Sequence, residues 1–79
     1  MTAEEAKQIV LSALRKIAPE ADPAEIRPDV NFRDQLDIDS MDFLNFVIGL
    51  HKATGVEIPE ADYPKLFTLN GCVEYLLSR

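Results

Sequence analysis

Apolar residues recur at helical spacing in three windows of this chain, and prolines lie between the windows. Each window supplies one apolar stripe, a pattern that favours amphipathic helices. The first stripe consists of Ala6, Ile9, Val10, Ala13, Leu14 and Ile17. Thr2 and Glu5 have the spacing of a capping box, so the first helix is expected to begin at about residue 3. Pro19 should end it at residue 17 or 18.

The second helix is expected to run from Ser40 to about Ala53. Asp39 is a good N-cap and Asp42 stands at the N3 position, which makes a carboxylate version of the capping box. Gly55 follows as the residue that ends the helix. On a helical wheel, the core face of this helix holds Phe43, Phe46, Val47, Leu50 and Thr54.

The third main helix is expected to begin after Thr68, which is its predicted cap. Its apolar stripe consists of Leu69, Val73, Leu76 and Leu77. Asn70-Gly71 is a hairpin signal in other settings, and a turn at this point is the alternative to a weak first helical turn. Asp62 is expected to cap a brief helix from about Tyr63 to Phe67.

Residues 18 to 38 contain three prolines and no apolar period, which predicts a long connection between the first two helices. Asp22 to Glu25 could form one short helical turn within it. The apolar residues that are expected to pin the connection to the core are Ile26, Val30, Phe32, Leu36 and Ile38. The predicted fold is therefore an all-α bundle of three main helices and one short helix, forming a single domain over residues 1–79. The caps at both ends favour a complete domain.

The composition limits the classes of partner. A net charge of -6 disfavours nucleic acid and anionic membranes, and suits partners with basic surfaces. Cys72 is the only cysteine, so no internal disulfide or cysteine-based metal site is expected. The chain start has no signal-peptide pattern, and no apolar run approaches the roughly 20 residues of a membrane span. We therefore expect a cytoplasmic protein without membrane insertion. We also expect a monomer.

The chain's most informative stretch places Ser40 among acids at the start of the second helix. A serine there is ordinarily a cap or a plain polar residue. Next to it, Met41 and Ile48 form an apolar shoulder beside the core face, with Leu44 between them and the core. Two interpretations of the shoulder stay open. The long connection covers it, or it is exposed as a partner-binding patch flanked by Asp42 and Asn45.

Catalytic and metal chemistry fit this stretch poorly. An EF-hand starting at Asp37 would need an acid or amide where Met41 stands and glutamate where Ile48 stands. A hydrolase built on Ser40 would need a base, and the only histidine, His51, lies about 16 Å further along the helix. His51 is therefore expected on the surface. Cys72 is expected in the core, with a reactive thiol as the alternative.

Residues 36 to 46, Leu-Asp-Ile-Asp-Ser-Met-Asp-Phe-Leu-Asn-Phe, resemble the signature of acyl carrier proteins, and the resemblance extends over nearly the whole chain. It implies that Ser40 bears a 4′-phosphopantetheine arm derived from coenzyme A, and that Asp39 belongs to the transferase recognition pattern. It implies no catalytic residue. It also implies a partner-binding face, made of Met41, Asp42, Leu44, Asn45 and Ile48.

The partners implied by the resemblance are a phosphopantetheinyl transferase and enzymes that load and process acyl groups through basic docking patches. The pathway would be fatty-acid, polyketide or related lipid synthesis. Asn45 stands where many fatty-acid carriers have glutamate, and His51 and Lys52 dilute the acidic face. These departures predict a carrier specialised for a dedicated pathway. Peptidyl carriers rank lower, because they typically have histidine before the serine. An unmodified acidic adaptor that binds through the second helix is the remaining alternative.

Overall fold

Four α-helices and two short 3₁₀ helices make up the protein, whose computed structural model describes residues 1–79. The α-helices are α1 (Ala3–Ile17), α2 (Phe32–Gln35), α3 (Ser40–Thr54) and α4 (Leu69–Leu77). The 3₁₀ helices span Pro23–Glu25 and Glu60–Leu66. The predicted all-α class is therefore confirmed. None of the helices combines the length and the apolar character needed to cross a membrane.

The predicted caps lie at the observed helix starts. Thr2 and Glu5 form a reciprocal capping box on α1, with bonds of 2.8 and 3.1 Å. Thr68 accepts a bond of 3.0 Å from the Gly71 amide in α4. Gly55 ends α3 in the left-handed region, with φ 73°. Because the caps at Thr2 and Thr68 act on amides nearby in the chain, and Gly55 readily adopts the left-handed conformation, these boundaries could be located from sequence.

The core lies where α1 packs against α3 and α4. All of the predicted core face of α3 is buried or half-buried, which confirms the helical wheel. The stripe of α4 was partly wrong, since Leu77 is 44% exposed and Val73 only half-buried, whereas Cys72 and Tyr75 are buried. The buried face of α4 contains Leu69, Cys72 and Leu76, and it is therefore rotated about the helix axis relative to the predicted stripe.

The long connection contains one helical turn that the sequence did not predict. Asn31 caps α2 by accepting a bond of 2.9 Å from the Arg33 amide. Phe32 is buried, and its amide donates to the Phe67 carbonyl at 2.8 Å. A helix of four residues is too short to show an apolar period, so tertiary contacts stabilise it. The predicted turn at Asp22–Glu25 is confirmed, as the 3₁₀ helix Pro23–Glu25 with Asp22 as its cap.

Asp62 does not cap a helix, so this prediction was wrong. The 3₁₀ helix begins three residues earlier than expected, after Pro59, without a side-chain cap. The Asp62 carboxylate instead accepts a bond of 2.7 Å from the Tyr75 hydroxyl and lies 3.3 Å from both Lys65 and Arg79. The Tyr75 hydroxyl bond lowers the pKa of Asp62 below its usual value. Asp62 thus links the 3₁₀ helix to α4.

Two helical glycines provide a matched test of packing. A Cβ at Gly71 would overlap the carbonyl oxygen of Lys65, whereas a Cβ at Gly49 would meet the Cβ of Ala13 at an ordinary 3.8 Å. Gly71→Ala is therefore expected to lower the free energy of unfolding by about 1–3 kcal/mol. Gly49→Ala should raise it by about 0.5–1 kcal/mol, since alanine is the better helix former. Urea unfolding measures both, and a stabilised Gly71→Ala variant would contradict the close approach.

Candidate functional site at the start of α3

Ser40 is the first residue of α3, and its side chain is exposed. The preceding Asp39 accepts a bond of 2.9 Å from the Asp42 amide, and the Asp42 carboxylate accepts one of 3.1 Å from the Asp39 amide. Both acids are therefore engaged in the cap of the helix. The amides of Ser40 and Met41 have no hydrogen-bond partner, as is usual in a first turn. An anion attached at Ser40 would meet these free donors and the positive end of the helix dipole.

Arg33 is a site residue that the sequence analysis missed. Its Nη1 atom lies 3.4 Å from the Ser40 hydroxyl oxygen, a long hydrogen bond and the only one that this hydroxyl makes. The contact depends on α2, which brings Arg33 to the start of α3. The one sequence signal for it was Asn31, a cap-forming residue directly before Phe32.

The shoulder of α3 is exposed beside Ser40. Met41 is 63% exposed and Ile48 is 42% exposed, so the interpretation that the long connection covers them was wrong. The connection packs elsewhere, against the core through Phe32, Leu36 and Ile38. Leu44 is half-buried, and Asn45 is exposed. Met41, Leu44 and Ile48 form an apolar strip along the surface of α3, with the polar side chains of Asp42 and Asn45 at its edges.

A groove of about 370 Å³ lies between the first turns of α3 and the 3₁₀ helix Glu60–Leu66, and Ser40 is one of its lining residues. Its lining consists of Arg33, Ser40, Phe43, Leu44, Glu60, Tyr63, Pro64 and Phe67. Aromatic rings form its inner wall, where the centroid of Phe43 lies 5.3 Å from that of Phe67 and 6.2 Å from that of Tyr63. An apolar chain attached near Ser40 could therefore lie in this groove out of water.

The other candidate groups are remote from this site or inert. Cys72 is fully buried, its Sγ donates to the Leu66 carbonyl at 3.3 Å, and burial raises the pKa of its thiol. The core interpretation of Cys72 is confirmed. His51 is exposed, as predicted, and its Nδ1 lies 2.8 Å from the Val56 carbonyl. No cluster of three or more acidic, histidine or cysteine side chains is arranged to hold a metal ion.

Comparison with known proteins identifies the family. The family model described as a phosphopantetheine attachment site matches residues 8–76. The acyl carrier protein of Lactobacillus johnsonii is 44% identical over 57 residues, which cover 72% of this chain and 71% of that protein. The chain belongs to the acyl carrier protein family.

Two further acyl carrier proteins are similar over most of their length. That of Myxococcus xanthus is 33% identical over 73 residues, which cover 89% of this chain and 92% of that protein. A solved structure of the acyl carrier protein from Enterococcus faecalis, described for its high thermal stability, superposes with a TM-score of 0.81 at 29% identity. The superposition covers 99% of this chain and 98% of the other.

Membership of this family decides the class of function. The protein is an acyl carrier that carries a phosphopantetheine arm, and carrier proteins are not catalysts. The unmodified adaptor is therefore not supported. The family implies interaction with a phosphopantetheinyl transferase and with synthase enzymes. The relatives bear the plain name acyl carrier protein, so specialisation for a dedicated pathway stays a prediction.

Proposed function

We propose that Ser40 bears the 4′-phosphopantetheine arm of this carrier, and that the terminal thiol of the arm holds acyl intermediates as thioesters. The observation that carries the proposal is the exposed Ser40 hydroxyl, at the positive end of α3 and beside an apolar groove that Ser40 helps to line. The other serines lack this setting. Ser12 lies within α1, and the Ser78 hydroxyl donates to the Tyr75 carbonyl at 2.8 Å.

The residues around Ser40 fit a phosphate ester. The hydroxyl is accessible to a transferase, two free backbone amides lie in the same helical turn, and a guanidinium is within reach. Asp39 would serve twice, as the helix cap and as part of the surface that the transferase recognises. The groove between α3 and the 3₁₀ helix would receive the acyl chain, because its inner wall is aromatic and apolar.

Partner enzymes would dock on α3 through Met41, Asp42, Leu44, Asn45 and Ile48. The net charge of -6 favours partners with basic patches, since opposite charges steer the encounter. Fatty-acid, polyketide or related lipid synthesis is the proposed pathway, with service to a dedicated synthase as the narrower proposal. A monomeric state and a cytoplasmic location stay predictions from the sequence.

Loading tests the attachment site directly. The full chain would be incubated with coenzyme A and a promiscuous phosphopantetheinyl transferase, and intact and fragment masses would be recorded. We expect one arm per chain, localised by fragmentation to the peptide that contains Ser40. A second arm, or one localised to Ser12 or Ser78, would overturn the assignment.

The docking face has its own test in the kinetics of loading. Ile48→Ala removes an exposed apolar group from the face, while the control Leu77→Ala removes a similarly exposed group, 44% against 42%, from α4. We expect Ile48→Ala to lower the kcat/KM of loading about fivefold, which corresponds to about 1 kcal/mol. Leu77→Ala should leave it unchanged. Equal effects of the two substitutions would contradict a docking face on α3.

A further inference from the structure

Arg33 is an exposed cation without a carboxylate partner, although acids surround it in the chain. The ion pairs of the structure join Asp62 to Lys65 and to Arg79, and neither involves Arg33. The side chain of Arg33 makes a single hydrogen bond, the long one of 3.4 Å to the Ser40 oxygen. A guanidinium presents several N–H donors in a planar fork, so most donors of Arg33 are free to bind an anion.

A phosphodiester at Ser40 would be stabilised further by such a cation. Asp39 and Asp42 flank the serine, and their charges repel a phosphate. Their carboxylates are committed to the backbone amides of the capping box, which keeps them at the helix cap. Among the cationic side chains, Arg33 alone hydrogen-bonds to Ser40. Its guanidinium can therefore compensate the negative charge of a phosphate attached to the Ser40 oxygen.

We propose that Arg33 binds the phosphodiester of the arm and thereby directs the arm along the groove. The inference rests on the proposed attachment at Ser40. Arg33 and Ser40 line the same groove as Leu44 and Tyr63, so a phosphate held between Arg33 and Ser40 would keep the start of the arm at that groove. Arginine suits this role better than lysine, because its fork can donate two parallel bonds to one phosphate.

The test uses loaded full-length protein and a readout other than enzyme activity. Wild type, Arg33→Gln and Arg33→Lys would each be loaded, and complete loading verified by mass. The ³¹P resonance of the arm would then be recorded for each protein at low and high salt. Because an exposed ion pair is weak, we expect the phosphate to prefer the Arg33-bound state over the free state by at most about fivefold. Exchange between the two states should give one averaged ³¹P resonance, whose position shifts with the bound population.

Arg27→Gln is the matched control, because Arg27 is an exposed arginine of the same connection whose guanidinium makes no hydrogen bond. We expect Arg33→Gln to move the ³¹P resonance, and high salt to move the wild-type resonance toward the Arg33→Gln position. The ³¹P resonance of Arg33→Lys should lie between those of wild type and Arg33→Gln, and the resonance of Arg27→Gln should match that of wild type.

The outcomes separate this inference from the attachment itself. If wild type and Arg33→Gln load equally at Ser40 but share one ³¹P position at low salt, Arg33 has no role in holding the arm. The same conclusion follows if Arg27→Gln moves the resonance as far as Arg33→Gln does. If wild type gains no arm at Ser40, the proposed attachment and the role of Arg33 both fall.

Discussion

Replacing Ser40 with alanine is expected to abolish loading of the arm completely. The substitution removes the oxygen to which the phosphate would be esterified, and no other serine lines the groove. The fold should persist, because the only hydrogen bond of the Ser40 hydroxyl is the long one to Arg33. Asp39 caps α3 independently of Ser40. Mass spectrometry after incubation with transferase and coenzyme A measures the loss.

Ser12→Ala is the control for this prediction. Ser12 is also exposed and helical, but it lies in α1, away from the start of α3. This variant should load as wild type does, and circular dichroism should report the same helix content for both variants. An arm on Ser40→Ala protein would show that another side chain carries it, and would remove the basis for the role of Arg33.

Replacing Phe46 with alanine is expected to lower the free energy of unfolding by about 3–5 kcal/mol. Phe46 is 1% exposed, and its ring packs edge-to-face on Phe32 with centroids 5.5 Å apart. It also lies 6.0 Å from the ring of Phe43. The substitution therefore leaves a cavity between α3 and α2. A domain of this size has a total stability of about 4–12 kcal/mol, so a large part of the protein could unfold at 25 °C.

Urea unfolding followed by circular dichroism measures this effect. Met41→Ala is the matched control on the same helix, because Met41 is 63% exposed and its truncation should change stability by less than about 0.5 kcal/mol. A loss below about 1 kcal/mol in Phe46→Ala would mean that the core between α2 and α3 collapses into the space. Since α2 carries Arg33, loosened packing should also weaken the contact at Ser40.

Much of the fold could be predicted from local patterns. The starts of α1, α3 and α4 follow from Thr2, Asp39 and Thr68, whose side chains bond to amides three residues ahead. The buried face of α3 follows from the spacing of its apolar residues, because a regular helix places every third and fourth side chain on one side. These features depend only on residues that are close in the chain, so they can be predicted from the sequence.

The position of Ser40 at the start of α3 could also be predicted from neighbouring residues. A cap at Asp39 requires that Ser40 opens the helix, and an opening residue of a helix has an outward side chain and free amides near it. The resemblance to acyl carrier proteins combined this stretch with its context over nearly the whole chain, and the family is confirmed. What the sequence by itself determined is therefore the class of protein, its three long helices and the residue at the start of α3.

The tertiary structure decided the surroundings of that residue. Helix α2 is too short for a periodic pattern, and the burial of Phe32 among residues distant in sequence stabilises it. Only this placement brings Arg33 to Ser40. Asp62 suited a cap locally, but Tyr75, 13 residues away, provides a better partner for its carboxylate. The exposure of Met41 and Ile48 likewise depended on where the long connection packs, because burial is set by contacts between distant segments.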